Sequence, residues 1–314
     1  MRTKGKKLIV MVPCYNEEKT LAAVIKSIPK KIPGIAKIET LVVDDGSTDK
    51  TFQVAKKLKV NHIIRHFNNK GLAKAFETGL ELALAKGADI IVNTDGDNQY
   101  PQKDIPKLIR PILQNKAKIV IADRQTDKIE YFSLPKKLFQ KLGSWVVRHA
   151  SGVKVPDAVS GFRAFSKEAA RQLNITTEFS YVIETIIQAG KKKIPITSVP
   201  IKVNPKTRES RLYNGMWNHI KNSAATIVRV FTMYEPLKTF TYIASAAFLA
   251  GFFLGARYLY FNFLGKPGAH LQSLLLAAVL LIVGFQIFLI GLVADLIAAN
   301  RKLMEKILDK LTKP

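Results

Sequence analysis

Two aspartates one glycine apart, Asp95 and Asp97 in the run Thr94-Asp95-Gly96-Asp97-Asn98-Gln99, have the residue type and spacing that most directly suggest chemistry. In an extended segment residues i and i+2 project to the same side, so both carboxylates could hold one divalent cation. Hard oxygen donors of this kind suit Mg2+ or Mn2+. A cation there would bridge the carboxylates to a diphosphate that they would otherwise repel. An Asp-x-Asp alone is also the composition of a solvated loop, so the pair carries weight only in company.

That company consists of Pro13-Cys14-Tyr15-Asn16-Glu17-Glu18 and Asp44-Asp45-Gly46-Ser47-Thr48-Asp49. Each polar run follows a short apolar one, which reads as the end of a strand. Strands are expected over 7–12, 39–43, 60–64, 89–93 and 119–122, with a last one over 197–203; amphipathic helices are expected over 17–28, 48–58, 72–86 and 104–114. Asn16 and Ser47 stand where the first two helices need N-caps. Such alternation builds a mostly parallel sheet covered by helices, whose ligands collect beyond the carboxyl ends of the strands. The acidic runs therefore belong to one edge.

Arg124 follows the fifth strand and Asp157 follows Pro156; a surface ion pair and a turn cap are the alternatives to a role in the site. Glu184 lies on an expected helix and either faces the site or is exposed or structurally paired. His62 and His66 would suit a shared metal on a helix. On a strand their four-residue separation spans about 13 Å, and a common site is not expected.

The chain has 314 residues, with 49 Lys and Arg against 24 Asp and Glu, a formal charge of +25, and 47% hydrophobic residues. An acidic disordered chain is excluded; nucleic acid, an anionic bilayer and phosphorylated small molecules fit the charge. No nucleic-acid-binding motif is recognisable, so nucleic acid is not an expected partner. Cys14 is the single cysteine, which excludes an intramolecular disulfide and a cysteine-built zinc site and fits a reducing compartment.

Two long apolar runs, 237–259 and 271–296, flank a hinge containing Gly265, Pro267 and Gly268. Each is long enough to span a bilayer, and a hairpin of buried helices in a soluble core is the alternative. Arg301, Lys302, Lys306 and Lys310 follow the second run, whereas the hinge region offers Arg257 and Lys266. The positive-inside rule then predicts a multi-pass protein of the cell membrane with its catalytic domain and C-terminus in the cytoplasm, and Asp295 at the inner interface. The N-terminal apolar stretch is too short and wrongly flanked for a signal peptide. Basic amphipathic helices over 136–148 and 211–229 are expected to lie on an anionic bilayer or to pack as ordinary helices. The predicted division is 1–210 catalytic, 211–234 juxtamembrane, 235–299 hairpin and 300–314 basic tail.

Taken in order, VPCYNEE, VVDDGSTD and NTDGDNQY resemble the family 2 glycosyltransferases of the GT-A fold. Asp157-Ala-Val-Ser-Gly-Phe-Arg-Ala-Phe is similar to the polyprenyl-phosphate sugar transferases, the branch of dolichol-phosphate mannose synthase. The resemblance covers about residues 7–211 and extends to the hairpin. It implies a Rossmann-like α/β domain with Pro13, Tyr15, Glu17 and Asp44 around the nucleotide, and Asp45 as a neighbour. It also implies Asp95, Asp97 and Gln99 at a Mg2+ or Mn2+ and the diphosphate, Arg124 near the donor phosphates, and Asp157 between donor and acceptor. Arg208, Ser210 and Arg211 lie in NPKTRESRL, which is similar to the family's Arg-x-x-Gly-x-Ser-Lys acceptor loop, with Arg208-Glu209 where the family has its glycine and Arg211 in place of the lysine.

The implied activity is inverting transfer of one hexose from a nucleotide sugar, of UDP-glucose or GDP-mannose type, to dolichyl or undecaprenyl phosphate. Rival readings are a processive polysaccharide synthase, a basic nucleic-acid-binding membrane protein and an inactive scaffold. The synthase's Gln-x-x-Arg-Trp motif is not found. Donor sugar, lipid chain length and self-association stay open.

Overall fold

The computed structural model describes residues 5–126, 134–177, 181–205, 216–265 and 270–311. The chain divides into two units, Met1–Ile227 and Val228–Pro314. The first is built on a seven-stranded sheet. Its strands are β1 (Lys6–Cys14), β2 (Ile35–Asp44), β3 (His62–Arg65), β4 (Ile90–Asn93), β5 (Ile119–Asp123), β6 (Arg163–Ser166) and β7 (Ile196–Pro200). They lie in the order β3-β2-β1-β4-β6-β5-β7, and β6 alone runs antiparallel, to β4 on one side and β5 on the other. Helices α1 (Leu21–Ser27), α2 (Thr51–Lys57), α3 (Leu72–Ala85), α4 (Ile105–Leu113), α5 (Leu134–Ser151), α6 (Lys167–Gln172) and α7 (Tyr181–Lys191) accompany it.

The interior runs of the central strands, Leu8–Val12 of β1 and Ile90–Val92 of β4, are apolar and buried throughout because both faces are covered. Leu8, Val10, Val92 and Ala164 pack with Ile105, Leu108, Ile109 and Ile112 of α4. On the opposite face α3 approaches so closely that a Cβ on Gly79 would lie 3.1 Å from both Met11 and Val43. Burying these side chains is the main stabilisation, at roughly 25 cal/mol per Å² of apolar surface.

Three expectations are corrected. β2 starts at Ile35, four residues before the expected 39, because the start of β1 pairs with it, Lys6 opposite Ile35 and Leu8 opposite Ile38. Glu39 is buried in the strand: Lys7 and Lys37 Nζ lie 2.7 and 2.6 Å from its carboxylate and His62 Nε2 lies 2.7 Å away. β6 was not anticipated; it is four residues long and opens with an arginine. The expected caps do different work. Asn16 has φ 56°, and its side-chain oxygen accepts from Thr48 N at 2.8 Å, while Ser47 Oγ accepts from Asn16 N at 2.9 Å. These bonds tie the loops after β1 and β2 together, so α1 begins only at Leu21 and α2 at Thr51, where Asp49 accepts from Thr51 N.

Helix α8 (Met216–Tyr234) precedes α9 (Pro236–Phe263) and α10 (Leu271–Leu311). The expected basic amphipathic segments fall on α5 and α8, apart from 211–215, which lie outside the described residues. Between α9 and α10 the contacts are made by small residues. A Cβ on Gly291 would lie 2.7 Å from Phe240 Cβ, and one on Gly251 would lie 3.1 Å from the Ala277 carbonyl. Phe252, Phe253, Leu275, Ile282 and Phe285 are exposed instead. A hairpin with small residues inside and large apolar ones outside suits lipid and not a soluble core. α10 continues unbroken through the basic segment that follows the apolar run.

Candidate active site

Parallel register sets the acidic edge. Cys14 pairs with Asp44 at the ends of β1 and β2, and Asp45 N donates to the Cys14 carbonyl at 2.8 Å. Thr94 N donates to Met11 O at 3.1 Å, which brings the loop after β4 alongside. That loop closes tightly: a Cβ on Gly96 would meet Cys14 Sγ at 3.0 Å and Glu17 Cγ at 3.1 Å. Burial pushes the Cys14 thiol's pKa up, and Glu17, Asp44, Asp95 and Asp49 raise it further. The three sequence runs thus converge around one buried sulfur.

The side chains differ in what they do. Asp44 is fully buried; one oxygen accepts from Ser47 N at 3.0 Å, and Arg65 Nε lies 3.1 Å from the other, off the hydrogen-bond axis. Asp45 turns away. Its carboxylate accepts from Lys70 N and Gly71 N, both at 2.9 Å, and sits 2.6 Å from His66 Nδ1, so it holds the 66–71 loop. Gly46 has φ 71° and no room for a side chain, since its Cβ would fall 2.4 Å from the Asn68 carbonyl carbon. Glu17 is buried, accepting from Thr20 Oγ1 at 2.7 Å, while Tyr15 remains 37% exposed.

Asp97 lies on a turn that Asp95 directly precedes, so the two do not share one extended segment, and Asn98 has φ 62°. Asp97 Oδ1 accepts from Gln99 N at 3.1 Å. From the far end of the sheet, Asn204 fastens this turn: its N donates to Gln99 O at 2.8 Å and its Nδ2 to Asn98 O at 2.9 Å.

Arg124 and Asp157 form a two-pronged pair, Nε–Oδ2 2.7 Å and Nη2–Oδ1 2.9 Å. Neither is on the surface, the side chains being 13% and 4% exposed, so the surface-bridge alternative for Arg124 does not hold. Burial alone would raise the Asp157 carboxyl, but the Arg124 guanidinium holds it below its ordinary range. Asp157 Oδ1 also accepts from Val159 N at 3.3 Å.

Sequence reasoning passed over Arg163. It is fully buried in β6 and donates to the carbonyls of Ala158, Ser160 and Val182 and to Thr185 Oγ1, over 2.6–3.0 Å. It therefore shapes the 158–162 loop beside Asp157, and burial pushes its pKa down to about 10. Its position in the quoted Ser-Gly-Phe-Arg run was the one available signal.

Glu184 and the two histidines have structural partners. Glu184 is buried and structurally paired, accepting from Thr176 N at 3.0 Å and Thr177 Oγ1 at 2.8 Å. His62 and His66 bind different carboxylates, Glu39 and Asp45. Arg208, Ser210 and Arg211 lie outside the described residues.

Comparison with known proteins extends this geometry. Residues 9–173 match Glycosyl transferase family 2, and residues 235–299 match the GtrB C-terminal hairpin. The chain is 34% identical over 220 residues to a UDP-N-acetylglucosamine–dolichyl-phosphate N-acetylglucosaminyltransferase of Methanococcus voltae, covering 63% of this chain and 85% of that one. It is 32% identical over 216 residues to a dolichol-phosphate mannosyltransferase of Pyrococcus furiosus, 66% of this chain and 59% of the relative. Similarity to the glycosyltransferase AglJ of Haloferax volcanii, at 25% identity, extends over 95% of this chain and 96% of that one. Among solved structures, glucosyl-3-phosphoglycerate synthase from Mycobacterium tuberculosis, in complex with Mn2+, UDP-glucose and phosphoglyceric acid, superposes with a TM-score of 0.56 at 21% identity. It covers 73% of this chain and 79% of that one, which establishes a GT-A-like fold. The converging acidic loops therefore sit on a sheet of known type, and the chain belongs to glycosyl transferase family 2 and carries a membrane-associating GtrB C-terminal hairpin.

Proposed function

We propose that the protein transfers a single hexose, with inversion, from a nucleoside-diphosphate sugar to a polyprenyl phosphate at the cytoplasmic face of the membrane. The observation that carries this reading is the union in one chain of a family 2 glycosyltransferase domain with a GtrB hairpin. A lipid-borne acceptor requires its enzyme at the bilayer, and the Methanococcus voltae and Pyrococcus furiosus relatives are named for dolichyl-phosphate acceptors.

The acceptor is a phosphate monoester with a second pKa near 6. At neutral pH it is already largely dianionic, so it needs positioning more than deprotonation. In this reading Pro13, Tyr15, Glu17 and Asp44 surround the nucleoside, and Asp45 supports them through the 66–71 loop. Asp95, Asp97 and Gln99 would hold a Mg2+ or Mn2+ together with the diphosphate. Their oxygen donors fit such a cation, and no group of three His, Cys, Asp or Glu ligands exists among the described residues. Diphosphate oxygens and water would complete the coordination, the usual arrangement for Mg2+. When bound, the cation would stabilise charge on the leaving diphosphate. Arg124, oriented by Asp157, supplies a guanidinium near the phosphates, and Arg208, Ser210 and Arg211 grip the acceptor.

The test is mass spectrometry of lipids after membranes containing the protein are incubated with UDP-glucose, UDP-N-acetylglucosamine or GDP-mannose, and with dolichyl or undecaprenyl phosphate. One sugar added to the lipid phosphate is expected. Polymeric product, or no glycolipid with any donor, refutes the reading. Arg208→Ala should impair use of the lipid phosphate strongly while calorimetric nucleotide affinity stays nearly unchanged.

A further inference from the structure

Gly161 lies between β5 and β6 on the loop shaped by Arg163, and its backbone is gripped from both ends. Its N donates to Tyr100 Oη at 3.0 Å, and its carbonyl accepts from Asn93 Nδ2 at 2.9 Å and from Tyr181 Oη at 3.3 Å. Asn93 Nδ2 also lies 2.7 Å from Tyr181 Oη, and the Tyr181 ring stacks on Phe76 with centroids 3.8 Å apart. Asn93, Tyr100 and Tyr181 are all buried. Burial pushes the Tyr100 pKa up, so its hydroxyl keeps its proton at any working pH.

A side chain at Gly161 would enter occupied space. An ideal Cβ falls 3.0 and 3.2 Å from the two carboxylate oxygens of Asp95 and 3.2 Å from Tyr181 Oη. Gly161 is not among the residues with positive φ, so backbone freedom does not require a glycine here. Space does, and the group that uses the space is Asp95.

We infer that Gly161, clamped by Tyr100, Asn93 and Tyr181, is the wall against which the Asp95 carboxylate is set, and is thus a positioning residue for the cation-and-diphosphate site. The inference rests on the proposed function, in which Asp95 holds a cation. Any β-carbon at position 161 displaces the carboxylate by a few tenths of an ångström, a large part of the roughly 0.5 Å within which ligand sets of this kind must be held.

The experiment uses the full-length protein in detergent and reads Mn2+ binding by loss of its free electron paramagnetic resonance signal, with UDP or GDP present. Thermal unfolding is followed in parallel. Gly161→Ala is expected to raise the half-saturating Mn2+ concentration about tenfold while nucleotide affinity without metal stays unchanged. Tyr181→Phe keeps the ring on Phe76 but removes the hydroxyl clamp, and should shift Mn2+ affinity in the same direction by less. Unchanged Mn2+ affinity in both variants, each folded as the wild type is, overturns the inference. A wild type that binds no Mn2+ with either nucleotide overturns the metal reading beneath it.

Discussion

At the scale of single residues, the Arg124–Asp157 pair is a buried ion pair to which the proposed reaction assigns a second role. A buried carboxylate left alone by Arg124→Ala costs about 3–5 kcal/mol of stability, because burial then acts unopposed. Removing both charges relieves that cost, so Arg124→Ala with Asp157→Ala should regain much of the lost thermal stability while sugar transfer stays abolished. Thermal unfolding and turnover, measured on the same samples, check both halves. Recovery of activity in the double variant would show that the pair is a structural clamp and nothing more. The pH dependence follows from the direction of the shift. The folded-state pKa of Asp157 is depressed, so the pair's contribution is complete above the unfolded carboxylate value, about 3.9, and is lost as pH falls through the folded value. Asp97→Asn, by contrast, keeps a side-chain oxygen that can accept from Gln99 N. It should lower turnover by orders of magnitude with little change in unfolding temperature.

At the scale of elements, what was legible in the sequence is what lies next to a strand end. Cys14, Asp44 and Asn93 close apolar runs, and parallel register brings the loops that follow them together, so the acidic edge could be read from spacing alone. Residues whose polarity is satisfied by distant chain were not legible. Arg163 looks like a surface residue until Val182 and Thr185 arrive from α7, and Glu39, the first residue of an expected strand, shows no partner until Lys7 and His62 flank it from β1 and β3. The turn of Asp95–Asp97 likewise depends on Asn204, more than a hundred residues away. Glu39 yields its own prediction. Burial would raise its carboxyl, but hydrogen bonds from Lys37, Lys7 and His62 lower it to about 2. Its contribution is therefore present above the unfolded value near 4.3 and lost as pH falls toward 2. Glu39→Gln should flatten the acid limb of a stability–pH curve over that window and cost about 2–3 kcal/mol at neutral pH. Denaturant unfolding at stepped pH measures both, and an unaltered acid limb would show that the cluster contributes nothing.

At the scale of the whole molecule, the charge balance and the hairpin together predict a topology. Large apolar side chains of α9 and α10 are exposed while glycines and alanines line their contact, so lipid is the solvent of that outer surface. Positive charge is denser beyond the second apolar run, at Arg301, Lys302, Lys306 and Lys310, than around the hinge, with Arg257 and Lys266. Lysine and arginine resist transfer across the membrane, so the denser side should remain cytoplasmic and the hinge should face outward. Gly265 is a suitable reporter: a Cβ there meets nothing within 4 Å, although its φ of 74° adds modest local strain. In a Cys14→Ala background, Gly265→Cys should react with a membrane-impermeant maleimide in intact cells, and a cysteine in place of Lys313 should react only after permeabilisation. The reverse pattern would turn the chain over and leave the active-site edge on the side without cytoplasmic nucleotide sugars, which the proposed reaction could not survive.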